Sequence, residues 1–208
     1  MKGHADILFL SANPLNVERL ELDREARSLQ RVIENVNQDG PAPLSLTTRW
    51  AAEPLDLLRE IRVVRPTVLH FAGYGTRGAN GGIYLQNWKG EAELVSVQAL
   101  RDTLAAAGSS IRVVVFNACY TDELASGLLE IDTLDCVIGV SGVISEAGGR
   151  LFIDAFYRAL ADGHSVHQSW KWGCAPFEAR SPSDPSCPQL RVRAGVDAQR
   201  LFVVKSAL

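Results

Sequence analysis

The sequence contains no run of about 18 apolar residues, the length a helix needs to cross a bilayer. It has no long run of Lys and Arg, and its formal net charge is −3. Nucleic acid is therefore not expected as a main partner, because phosphate binding needs clustered cations. Cysteine is scarce: Cys119, Cys136, Cys174 and Cys187 are the whole set of four. No two of them form a Cys-x-x-Cys pair, and none stands near a His at zinc-finger spacing, so no metal site is expected. Residues Met1 to Asp6 lack the apolar stretch of a signal peptide. These absences lead to the expectation of a cytoplasmic protein with no membrane span. Its thiols should stay reduced, Cys174 and Cys187 included. There is no internal repeat and no linker, so residues 1–208 read as a single domain. The glycine-rich stretch 78–82 lacks the Gly-Lys-Ser/Thr of a phosphate loop and reads as a flexible loop. No cofactor is expected.

What is present is an ordinary globular composition. Hydrophobic residues make up 47% and charged residues 22% of 208, enough apolar surface for one sizeable core. Short apolar runs alternate with helical periodicity. Ile7-Leu8-Phe9-Leu10 reads as a buried strand. Over 18–36, Leu22, Ala26, Leu29 and Ile33 recur at three- and four-residue spacing, which predicts an amphipathic helix ended by Gln38-Asp39-Gly40-Pro41. Strand 44–50 and helix 54–64 follow, the helix opened by Pro54. Val68 to Ala72 predicts a third strand running on into Gly73-Tyr74-Gly75. Segments 83–85 and 93–95 predict a hairpin. Helix 97–107 is capped by Ser96 and closed by Gly108. The β-branched run 111–116 belongs at the sheet centre. Helix 122–130, strand 136–140, helix 151–161 and a helix from Ser165 through Trp172 follow. Residues 175–188 read as an exposed loop, and 190–193 with 201–204 as a late hairpin or edge strands. Strands alternating with helices predict an α/β fold with a mainly parallel sheet covered on both faces.

In such sheets, sites form at the carboxyl ends of strands. Two strand ends carry chemistry. Cys119 stands just past Val113-Val114-Val115-Phe116, where a thiol and its own backbone amide can address a developing oxyanion. Gly75 stands past the neighbouring strand, where no side chain blocks the approach of a second amide. Residues 70, 72 and 74 share one side of an extended strand, so Tyr74 projects towards the same place.

The segments Ile7 to Pro14, His70 to Gly75, Phe116 to Tyr120 and Val137 to Gly142, with Phe152 to Gly163 after them, carry a resemblance. Together they are similar to the CHAT family of caspase-like cysteine peptidases, related to caspases, separases and gingipains. The resemblance implies a caspase-like three-layer α/β/α sandwich and peptide-bond cleavage by a Cys–His dyad. Many members serve bacterial defence or cell death joined to sensor modules, so a protein or peptide substrate and a second protein as sensor or regulator are implied. Cys119 takes the nucleophile position and Gly75 that of the oxyanion amide. Tyr74 takes the place of the family's histidine, and a phenol exchanges protons poorly at neutral pH. Ser11, Asn13 and Asp122 are candidate substrate-binding residues.

Blander readings stand beside these. His70 is read as a hydrogen-bonded structural residue and Cys136 as core. Asp122 and Glu123 fit the acidic first turn of a helix better than a substrate pocket. Glu146 and Asp154 are weaker pocket candidates. Trp88, Trp170 and Trp172 fit either a partner surface or packing. Three functional readings follow: an active endopeptidase, a pseudopeptidase that binds without cutting, and an active type stopped by replacement of its histidine.

Overall fold

Apolar runs that are continuous rather than alternating belong to strands buried on both faces. A computed structural model describes residues 4–37, 44–78, 81–108, 110–180, 184 and 186–204, and shows such strands. In chain order the elements are β1 (Ala5–Ser11), α1 (Leu22–Val36), β2 (Leu44–Arg49), α2 (Pro54–Val64), β3 (Val68–Ala72) and β4 (Tyr74–Thr76). Then come β5 (Gly82–Gln86), β6 (Ala92–Ser96), α3 (Val97–Ala107), β7 (Val113–Asn117) and α4 (Asp122–Leu128). The last are β8 (Cys136–Gly139), α5 (Glu146–Ala161), α6 (Val166–Glu178) and β9 (Gln189–Val192). The main sheet has the order β2-β1-β3-β7-β8-β9, parallel throughout except for β9 at one edge. Strands β4, β5 and β6 form a small antiparallel sheet beside it.

Side chains of alternate strand residues enter opposite layers. Ile7, Phe9, Val113, Val115 and Ile138 pack with α1, α5 and α6, while Leu8, Leu10, Leu69, Phe71, Val114 and Phe116 pack with α2, α3 and α4. The result is the expected α/β/α sandwich. Helices α2 and α3 have the bounds expected from Pro54 and from Ser96, whose side chain accepts the Ala99 N–H.

One buried polar chain crosses the first layer. His70 lies on β3, fully buried and stacked on Phe9. Its Nε2 bonds Glu25 Oε1 of α1 at 2.9 Å, and its Nδ1 bonds the Tyr157 hydroxyl of α5 at 2.9 Å. A carboxylate only accepts, so Nε2 carries the proton and Nδ1 receives the phenol's. Burial pushes the Tyr157 phenol well up, which keeps it a donor.

Several expectations change. Helix α1 starts at Leu22, not 18, because residues 18–21 belong to the connection from β1. Helix α5 starts at Glu146, capped by the Ser145 hydroxyl on the Gly148 N–H, although Gly148-Gly149 masked its first turn. Helix α6 runs through Pro176 to Glu178, so the expected loop begins later than 175. Segment 201–204 forms no strand; β9 alone joins the edge. The expected strand through Gly73-Tyr74-Gly75 breaks at Gly73, and Tyr74 opens β4 in the smaller sheet. Cys174 and Cys187 are joined in a disulfide rather than free, since the end of α6 and the segment before β9 bring their Cα atoms to 5.9 Å. The turn expected at 38–41 lies outside the described residues, as do 79–80 of the glycine-rich loop.

Tyr157→Phe should lower the free energy of unfolding in urea by about 1–3 kcal/mol, because it leaves buried His70 Nδ1 without its partner. An unchanged midpoint and slope would show that the buried chain does not support the fold.

Candidate active site

The site forms where parallel strands end. The β3–β7 register sets Ala72 opposite Asn117, so Tyr74 and Cys119, each two residues further on, leave adjacent strand ends. Both line one cavity of about 60 Å³, together with Leu20, Leu22, Glu25, Asn117, Ile144, Glu146 and Arg150.

The turn that carries Cys119 is held from below. Tyr120 takes a left-handed conformation (φ 59°), unusual for a bulky residue. Its N–H donates to the Gly142 carbonyl, and the Asp122 N–H donates to the Val140 carbonyl, both at 3.1 Å. Buried Thr121 donates its hydroxyl to the Ala118 carbonyl and accepts the Val140 N–H. On the outer side the Arg77 guanidinium covers the Tyr120 ring at 3.8 Å. Gly75 presses against this turn: a Cβ there would lie 2.3 Å from the Cys119 carbonyl oxygen. Gly149 allows α5 an equally close approach, since a Cβ there would lie 2.5 Å from Asn117 Nδ2.

Thiol and phenol line the same cavity, and each bonds a main-chain carbonyl. The Cys119 thiol donates to the Ile144 carbonyl at 3.9 Å. The Tyr74 hydroxyl donates to the Glu18 carbonyl. Burial, then the charges of Glu18, Cys119 and Glu146, raises the Tyr74 phenol above its ordinary value, so at neutral pH it is a donor and not a base. No histidine is among the residues that line this cavity. His70 has both ring nitrogens engaged inside the core. Helix α5 starts at the cleft, and its 16 residues carry the chain about 24 Å to the opposite end of the sheet. His164 and His167 lie there, against Trp172 and Trp170. His4 precedes β1 at that same far end and bonds Asp6.

The other expected residues go elsewhere. Asp122 forms a bidentate ion pair with Arg191 of β9, at 2.7 and 2.6 Å, and lines a separate cleft of about 280 Å³ with Arg77, Tyr120 and Glu123. Ser11 and Asn13 line a different cavity of about 490 Å³ with Trp50 and Gln86. Ser11 is buried, its hydroxyl directed at the Arg49 carbonyl. Among the tryptophans, Trp88 and Trp172 are exposed, whereas Trp170 packs on the core and bonds the Pro188 carbonyl. The sequence reading passed over Leu20, Glu25, Ile144 and Arg150, whereas Asn117 belongs to the strand end that carries Cys119. The rule that connections after parallel strands line the crevice pointed to Leu20 and Ile144, while Glu25 and Arg150 each lie about one helical turn into α1 and α5. Among the described residues no helix is long and apolar enough to cross a membrane, and no three His, Cys, Asp or Glu side chains cluster as metal ligands.

Comparison with known proteins matches the CHAT domain over residues 3–170. The chain belongs to the CHAT domain family. This CHAT domain is similar in fold to caspase-1 from Spodoptera frugiperda, at 13% identity and a TM-score of 0.59, over 98% of this chain and 93% of that one. It is also similar to a secreted C11 cysteine protease from Bacteroides thetaiotaomicron, at 10% identity and a TM-score of 0.55, over 90% of this chain and 66% of that one. Among curated proteins no sequence matches it. The fold is therefore the caspase-like fold of cysteine peptidases.

Gly75→Ala should destabilise the domain by about 1–3 kcal/mol, because its methyl group meets the Cys119 carbonyl, which is backbone and cannot turn aside, as well as the Thr121 methyl. Urea titration measures this; a midpoint equal to that of the unmodified chain would mean that β4 and the Cys119 turn are not in contact.

Proposed function

We propose that this CHAT domain receives a protein segment in the Cys119 cleft and acts as a regulatory pseudopeptidase of a bacterial defence or cell-death system. A second protein supplies sensing, and the setting is cytoplasmic. The observation that carries this reading is the lack of any imidazole within reach of the Cys119 thiol. Peptide cleavage by a thiol needs a group that takes a proton and returns it to the leaving amine. In this reading Tyr74 holds the place of the family's histidine, and its phenol is engaged as a donor on Glu18. Protein as the ligand is supported by the CHAT match and the caspase-like fold.

A second reading, an active endopeptidase, is favoured by the retained thiol. The left-handed Tyr120 keeps Cys119 on a sharp turn, and Gly75 abuts it, so the backbone amides of Cys119 and Gly75 remain candidates for an oxyanion site.

A peptide-library assay of the unmodified chain, Tyr74→His and Tyr74→His with Cys119→Ala separates the two. The expected result is no cleavage by the unmodified chain, a gain of roughly 10²- to 10⁴-fold in Tyr74→His over that background, and its loss without the thiol. Cleavage by the unmodified chain that disappears on Cys119→Ala would overturn the pseudopeptidase reading.

A further inference from the structure

Segment 13–21 runs between the two cavities. The small one beside Cys119 lies on one side, the larger one beside Trp50 on the other, and Leu20 and Leu22 face both. The segment has no helix or strand of its own, yet it is tied at intervals. The Asn13 N–H donates to Gln86 Oε1 at 3.2 Å. Asn13 Nδ2 donates to the Leu20 carbonyl at 2.9 Å, and Asn13 Oδ1 accepts the Leu20 N–H at 3.2 Å, which closes the segment into a loop. The Leu15 N–H donates to the Gly90 carbonyl and Asn16 Oδ1 accepts the Ala92 N–H, both at 2.8 Å. At the other end the Glu21 N–H donates to Glu146 Oε1 at 2.9 Å. Between these anchors the side chains of Glu18 and Arg19 are exposed. The contact that ties the middle to the cleft is the Tyr74 hydroxyl on the Glu18 carbonyl.

We propose that Tyr74 is a latch: its hydroxyl holds segment 13–21 as a strap over the Cys119 cleft, and a peptide enters only when that bond is broken. The closed form leaves about 60 Å³ beside the thiol, too little for a polypeptide. Tyrosine suits this task where histidine does not. It carries its donor further from the backbone than an imidazole does, and it remains a neutral donor throughout the physiological range. The inference rests on the reading above that this cleft receives a peptide, and holds whether or not that peptide is cut.

Tyr74→Phe keeps the ring and removes only the bond. Alkylation of Cys119 by iodoacetamide should then quicken about three- to ten-fold, the equilibrium factor carried by one hydrogen bond of ordinary net strength. Amide exchange over 13–21 should quicken alike, with the sheet unchanged. Cys136 is buried and Cys174 and Cys187 are paired, so Cys119→Ala supplies the alkylation blank. Asn13→Ala loosens the strap at a distant anchor with Tyr74 intact, and should shift both readouts in the same direction. Exchange over 13–21 that is the same in Tyr74→Phe as in the unmodified chain would overturn the latch. So would faster alkylation in Tyr74→Phe alone, with Asn13→Ala silent, since that is a direct effect of the phenol on the thiol.

Discussion

Everything around the cleft is referred to one buried hydrogen-bond chain, Glu25–His70–Tyr157. A histidine and a carboxylate taken out of water cost several kcal/mol unless every polar atom finds a partner, so the geometry of the chain is not negotiable. It joins α1, β3 and α5 across the layer. Fixing α1 fixes the point at which the connection from β1 must end. Fixing α5 fixes Ser145, Glu146 and Arg150 at the other wall of the cleft. Glu25 serves both purposes, since it bonds His70 and also lines the cavity beside Cys119. The site is thus an edge of the core rather than a feature laid on the surface.

The electrostatics of the cleft are largely settled internally. Arg150 lies 3.6 Å from Glu21 and 3.9 Å from Glu146, and Glu21 also pairs with Arg24 at 2.9 Å. These groups are partly exposed, and such pairs contribute little to stability. Their effect is on arrangement: Glu146 receives the Glu21 N–H and so joins the β1–α1 connection to the start of α5. The contrast with an acid–base site is plain. An imidazole acts by changing its protonation at neutral pH, whereas the thiol and the phenol here both spend their protons on backbone carbonyls.

Much of this architecture could be read from residue order. The four central strands were legible because runs such as Val113 to Phe116 have no alternative to burial, and α2 and α3 because Pro54 and Ser96 mark their first turns. The misreadings have physical causes. Gly148-Gly149 reads as a helix breaker, but Asn117 leaves no room for a side chain at 149. Pro176 reads as a stop, but its neighbour Phe177 is buried in the core and the helix closes two residues later. At the site, the positions of Cys119 and Tyr74 beside one cleft could be read because each lies two residues past the end of a parallel strand. The partners they choose could not, since Ile144 and Glu18 offer main-chain carbonyls, which every residue has. The pairing of Asp122 with Arg191 spans 69 positions and leaves no local signature.

The bond between Cys174 and Cys187 gives the chain a topology that a linear sequence conceals. The residues between them form a covalent ring, closed at one end on α6 and at the other just before the edge strand. A single hydrolytic nick anywhere in that ring would produce two polypeptides by sequence but one molecule by connectivity. The shorter piece would carry β9, whose Arg191 clamps the first residue of the helix behind Cys119. It would stay in place through a disulfide and a strand pairing together. Severing the chain there and separating its parts are two distinct events, and only a reductant joins them.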